Sequence, residues 1–203
     1  MTKIKICGIK RLEDVLIVNK YKPDYIGFVF AHNKNRTITL NDALLFKKEL
    51  NNDIIAVGVF RDNDINEVIE IASSGAIDMI QLHGSETIDF ILELKKHTKL
   101  PIIKAYNNYE YADYALFDNV DPGKGKTFDW NNIKTDKDFF LAGGIDINNI
   151  DLALKLNPYA VDISSGVETN GFKDEEKIKE IIKKVRSWKE DLEILVDNTF
   201  LKH

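Results

Sequence analysis

The sequence predicts an α/β protein folded as a single-domain (β/α)8 barrel. Three observations lead there. Eight short strand-like runs are separated by helically patterned stretches, most recurring about every 20–30 residues. Strands alternating with helices build parallel sheets, because parallel neighbours need a crossover connection. The length of 203 residues suits one such barrel, and no linker-like or low-complexity stretch marks a domain boundary.

The first strand is Lys3 to Cys7, with a helix from about Arg11 to Tyr21. The second is Tyr25 to Phe30, with a helix from about Asn41 to Leu50. The third, Ile54 to Phe60, leads to a helix from about Asp64 to Ser74, closed by Gly75 as a C-cap. The fourth, Asp78 to Leu82, precedes a helix from about Glu86 to Lys96. Pro101 to Ala105, Tyr114 to Asp118, Phe139 to Ala142 and Ala160 to Ile163 read as strands five to eight. Only about eight residues, Tyr106 to Asp113, separate strands five and six, so the fifth helix is expected to be short or missing. A last helix runs from about Asp174 to Trp188. Residues 190–203 form a C-terminal extension whose Leu192, Ile194, Leu195, Val196, Phe200 and Leu201 suit packing on the barrel or contact with another chain.

Composition narrows the function classes. Hydrophobic residues make up 44%, enough for a substantial core. A net charge of -5 argues against nucleic acid as a partner, since phosphate backbones call for a basic footprint. It leaves room for a small anion, which a few backbone N–H groups and one cation can hold. The one cysteine, Cys7, cannot form an intramolecular disulfide, which fits a reducing compartment. No apolar run approaches the ~20 residues of a membrane span, and Met1-Thr2-Lys3 runs straight into a strand. The expectation is a cytoplasmic protein without membrane or nucleic-acid partners. It is expected to act as a monomer on a small molecule, with a dimer through the tail as the alternative.

Barrel active sites lie at the carboxyl ends of the strands. There the sequence places Cys7, Phe30, Phe60, His83, Ala105, Asp118, Gly143-Gly144 and Ser164-Ser165-Gly166. Cys7 reads as either a small buried hydrophobe or a reactive group. Gly143-Gly144 and Ser164-Ser165-Gly166 each read locally as a tight turn. In register after strands seven and eight, they match the usual barrel phosphate site. His32, His97 and His203 are scattered, with no ligand spacing, so no metal site is expected.

Seven segments carry a family resemblance: Lys5-Ile6-Cys7-Gly8-Ile9, Gly27-Phe28-Val29-Phe30, Val57-Gly58-Val59-Phe60, Gln81-Leu82-His83-Gly84, Gly125-Lys126-Thr127-Phe128-Asp129-Trp130, Ala142-Gly143-Gly144-Ile145, and Val161-Asp162-Ile163-Ser164-Ser165-Gly166-Val167-Glu168. In order and spacing, the set resembles the phosphoribosylanthranilate isomerases of tryptophan biosynthesis. The resemblance implies a cofactor-independent Amadori rearrangement of N-(5′-phosphoribosyl)anthranilate to 1-(2-carboxyphenylamino)-1-deoxyribulose 5-phosphate. It implies Cys7 as general base at C2′ and Asp118 as general acid at the ring oxygen. Asp118 would have to hold its proton at neutral pH, hence a raised pKa. Asp129, which precedes Trp130, reads as the start of the sixth helix.

Arg36 matches the family's carboxylate-binding arginine and otherwise reads as a solvated surface charge. Gln81 and His83 alternate along strand four, so both should face the interior. Gln81 reads equally well as a substrate contact or a hydrogen-bonded core amide. Gly143, Gly144, Ser165 and Gly166 would bind the 5′-phosphate, helped by Ser164. Pro122 and Lys124 depart from the family's loop after strand six. The alternatives are another phosphosugar isomerase or epimerase barrel, or a non-catalytic barrel that binds a phosphorylated metabolite.

Parity gives one further expectation. Lys3, Lys5 and Cys7 share a face of strand one, and Asp162 and Ser164 share a face of strand eight. Barrel closure makes these strands neighbours. Lys5 and Asp162 should therefore form a buried ion pair beneath Cys7, with the Lys5 cation favouring a Cys7 thiolate; the alternative is a Lys5 that bends outward at the strand's start into solvent.

Overall fold

A computed structural model describes residues 1–32, 35–118, 130 and 133–200, with side chains only as far as 188. The strand-like runs form β1 (Lys3–Cys7), β2 (Tyr25–Val29), β3 (Ile55–Phe60), β4 (Met79–Leu82), β5 (Ile102–Ala105), β6 (Tyr114–Phe117), β7 (Phe139–Leu141) and β8 (Ala160–Ile163). All pair in parallel in chain order, and β8 returns to β1 to close the barrel.

The first four crossover helices start where side chains cap them. Helix α1 (Leu12–Tyr21) follows Arg11, whose backbone N–H donates to Asp14 at 3.1 Å. Helix α2 (Leu40–Glu49) opens on a reciprocal capping box, Thr39 Oγ1 accepting from Asp42 N while Asp42 accepts from Thr39 N. Asp64 caps α3 (Ile65–Ser73), and Thr87 caps α4 (Ile88–His97). Gly75 follows α3 at φ 82°, the left-handed stop expected there.

The fifth helix is missing: a 3₁₀ turn at Tyr109–Tyr111 links β5 to β6. Tyr109 covers Phe117 edge-on at 5.6 Å, and Phe117 meets Phe139 in the same way. Helix α5 (Ile150–Leu154) is a single short turn, and α6 (Glu175–Phe200) is longer than expected. The run from Lys189 to Phe200 contains no Gly or Pro to stop a helix. Between β8 and α6 lies an antiparallel hairpin, β9 (Glu168–Thr169) and β10 (Phe172–Lys173). The loop carrying Pro122 and Lys124, the expected helix start at Asp129, and the tail's apolar side chains lie outside the described residues.

Alternation along the strands sorts side chains into two cores. Ile4, Ile6, Ile80, Leu82, Val161 and Ile163 pack under the helices. Val57, Met79, Ile103, Leu116, Phe140 and Ala160 fill the barrel. At its amino-terminal end Lys3 donates to Tyr159 Oη at 2.9 Å, with Tyr25 and Tyr114 close by. At the carboxyl end, polar side chains replace this filling. Among the described residues no helix is long and apolar enough to cross a membrane.

Candidate active site

Parity along β1 brings Lys5 and Cys7 inside the barrel, and register places Lys5 beside Asp162 on β8. Lys5 Nζ meets Asp162 Oδ2 at 2.7 Å, with side chains 0% and 5% exposed. This is the expected pair. Burial pulls the Lys5 pKa down, but Asp162 and Cys7 outweigh it and hold the ammonium above its usual value.

Cys7 lines the cavity above this pair. The turn after it is pinned to β2, because the N–H groups of Gly8 and Ile9 both donate to Gly27 O at 2.9 and 3.0 Å. Gly27 also makes room for the thiol: a Cβ there would lie 2.6 Å from Cys7 Sγ. Burial pushes the Cys7 thiol above its ordinary pKa, while Lys5 and Lys173 pull it down. Lys5 thus acts in the expected direction, but burial dominates and the net shift is upward.

On β4, Gln81 and His83 both line the cavity, as parity requires. Gln81 Nε2 lies 2.8 Å from His83 Nδ1. The other ring nitrogen, Nε2, faces Asp118 Oδ2 at 3.2 Å. Tyr106 Oη lies 3.3 Å from the same nitrogen. Asp118 follows β6 and lines the cavity with its side chain 9% exposed. Gln81 Oε1 and Asp162 Oδ1 are buried acceptors without a hydrogen-bond partner among the described residues.

After β7, Gly143 and Gly144 take φ of 93° and 68°, a left-handed pair that other residues rarely adopt, and both line the cavity. Asn149 ties this loop down by donating to Gly144 O at 2.8 Å and accepting from Asp146 N at 2.9 Å. After β8, Ser164 Oγ donates to Cys7 O at 3.1 Å, and Ser165–Val167 form a 3₁₀ turn. Ser164 and Ser165 line the cavity, whereas Gly166 packs against the Ile145 carbonyl.

Arg36 lines the cavity but is no solvated surface charge. Its Nε and Nη2 donate to both Glu168 oxygens at 2.8 and 2.7 Å. Lys173, from β10, donates to Glu168 at 2.7 Å and to Ser164 O at 3.1 Å. Burial opposes ionisation of Glu168, yet Arg36 and Lys173 prevail and hold its pKa at about 2. On the far side Lys104, fully buried, donates to Gly84 O at 2.7 Å and pairs with Glu86 at 3.1 Å. Glu86 also accepts from the N–H groups of Asp62 and Gly84, tying the loops after β3 and β4 to strand β5.

The strand ends therefore bring all ten expected residues, Cys7, Arg36, Gln81, His83, Asp118, Gly143, Gly144, Ser164, Ser165 and Gly166, to one cavity or its immediate wall. Arg61, Asp162, Glu168 and Lys173 are additions with no expected binding or catalytic role. A charged residue alternating into a barrel strand, as Asp162 does, is a signal readable in sequence. The Asn170-Gly171 turn that brings Lys173 back is another.

Residues 4–184 match the family model for N-(5′-phosphoribosyl)anthranilate (PRA) isomerase. The chain belongs to the PRA isomerase family. A PRA isomerase of Endomicrobium trichonymphae is 48% identical over 200 residues, covering 92% of this chain and 100% of that relative. The solved PRA isomerase of Thermus thermophilus superposes with a TM-score of 0.83 at 32% identity, covering 92% of this chain and 99% of that one. Another solved PRA isomerase, in complex with reduced 1-(o-carboxyphenylamino)-1-deoxyribulose 5-phosphate, gives a TM-score of 0.74 at 31% identity, over 90% and 97% of the two chains.

Proposed function

We propose that this PRA isomerase rearranges N-(5′-phosphoribosyl)anthranilate with Cys7 as general base and Asp118 as general acid. The observation that carries the reading is their placement. Both line one cavity together with Gly143, Gly144, Ser164 and Ser165, in a chain matching the family from residue 4 to 184.

The phosphate is held by backbone N–H groups of Gly143, Gly144, Ser165 and Gly166. Two consecutive left-handed glycines and a 3₁₀ turn support this seat. Asp118 as general acid gives a proton to the furanose oxygen, and the ring opens to a Schiff base. The adjacent C=N group acidifies the C2′ proton, and the Cys7 thiolate removes it. The resulting enolamine tautomerises to the ketone. His83 positions Asp118 and is itself oriented by Gln81. The unpartnered oxygens of Gln81 and Asp162 suit sugar hydroxyls. Arg36 engages two of its five N–H donors with Glu168 and turns the rest to the anthranilate carboxylate.

The same reading has the chain working in the cytoplasm as a monomer on a small phosphorylated molecule, without a cofactor. Its support is a reaction that acid–base groups alone can carry. The test generates the labile substrate in situ and follows loss of anthranilate-type fluorescence on adding the protein. Turnover is expected. A folded protein that leaves the fluorescence unchanged would overturn the reading.

A further inference from the structure

Arg61 follows β3 directly and lines the cavity. Its side chain is exposed and, among the described residues, takes part in no hydrogen bond or ion pair. Its charge is felt inside the site. Burial and the Asp118 charge push Tyr106 up to about 12, and Arg61 acts against both. Arg36 differs, because the two-pronged edge that best grips a planar carboxylate is closed on Glu168. A carboxylate arriving beside Arg36 meets its remaining Nη donors and leaves its other lone pairs to a second cation.

Topology says where that carboxylate arrives. In the closed ring of strands β3 stands opposite β7. The proposed function, on which this inference rests, seats the phosphate after β7 and β8. Cys7 on β1 and Asp118 after β6 flank the middle of the cavity. An extended molecule anchored by its phosphate and reacting between those two groups lays its far end toward β3 and the strands beside it, β2 and β4. Its aryl carboxylate then lies in reach of the loop carrying Arg36 and of the residue ending β3.

We propose that Arg61 is a second specificity-determining cation of this enzyme, joining Arg36 on the aryl carboxylate of the substrate. It engages bound ligand and leaves the reacting atoms alone. Its loss therefore weakens binding and leaves the chemical step in place.

The test compares reduced 1-(o-carboxyphenylamino)-1-deoxyribulose 5-phosphate with the phenylamino counterpart that lacks only the carboxylate. Calorimetry measures the Kd of both on the wild type, Arg61→Gln and Arg61→Lys, with melting temperature as a control on folding. Arg61→Gln should weaken the carboxylated ligand by about 10-fold or more, the scale of a charge-assisted hydrogen bond. The phenylamino ligand should change by less than about 2-fold, and Arg61→Lys should fall between, keeping the charge without the fork. In turnover, KM should rise with kcat nearly constant. Equal weakening of both ligands, or none of either, would overturn the inference while leaving the proposed function standing. A wild-type protein that binds neither ligand would overturn both.

Discussion

Lys5 on β1 and Asp162 on β8 meet at 2.7 Å in the layer below Cys7, at the seam where the barrel closes. Neither charge tolerates that depth alone. Lys5→Met leaves Asp162 as an unpaired buried charge and should destabilise the fold by about 3–5 kcal/mol. Removing both charges, as Lys5→Met with Asp162→Leu, should recover much of that loss. Because Lys5 pulls the Cys7 pKa down, Lys5→Met should also move the midpoint of pH-dependent thiol alkylation to higher pH. An unchanged melting temperature and alkylation profile would contradict the pair's role.

Glu168 predicts a pH dependence of stability. Its folded pKa of about 2 lies below the ordinary 4.5, so its stabilising contribution is complete above the unfolded value. It is lost as pH falls from about 4.5 toward 2, and amounts to up to about 3 kcal/mol at neutral pH. In urea unfolding, Glu168→Gln should be less stable than wild type at pH 7 and should converge with it near pH 2. A constant difference across that range would show that Arg36 and Lys173 do not hold the carboxylate as described.

The phosphate seat can be tested with inorganic phosphate alone. Titration should shift the amide resonances of Gly143, Gly144, Ser165 and Gly166 together and leave those at the Lys3–Tyr159 end of the barrel in place. Shifts confined to surface lysines would contradict the seat.

Much of this site was legible because barrels impose two simple rules, alternation and closure. Alternation put Cys7, Gln81 and His83 inside, and closure set Lys5 against Asp162. What escaped the sequence depends on contacts that neither rule fixes. Arg36 reads as a loop charge until the hairpin after β8 brings Glu168 against it, 132 residues later. Thr169-Asn170-Gly171-Phe172 carries the signature of that hairpin, with Asn170 and Gly171 at φ of 54° and 78°. Lys104 sits among isoleucines on β5, and its partner Glu86 lies in the loop after β4. Burial decides the direction of the Cys7 shift, and the depth of the thiol emerges only when the loops have packed around it.

The most direct measurement is the turnover number of Cys7→Ala beside Asp118→Asn, with Kd for the reduced product analogue and melting temperature on the same samples. Each substitution should cut kcat by about 10²–10⁴-fold, because each removes one partner of the acid–base pair, while affinity and melting temperature stay near wild type. With the Cys7 pKa raised by burial, wild-type kcat/KM should climb toward alkaline pH, and that limb should vanish in Cys7→Ala. A Cys7→Ala enzyme that keeps near wild-type kcat with the same alkaline limb would contradict the account.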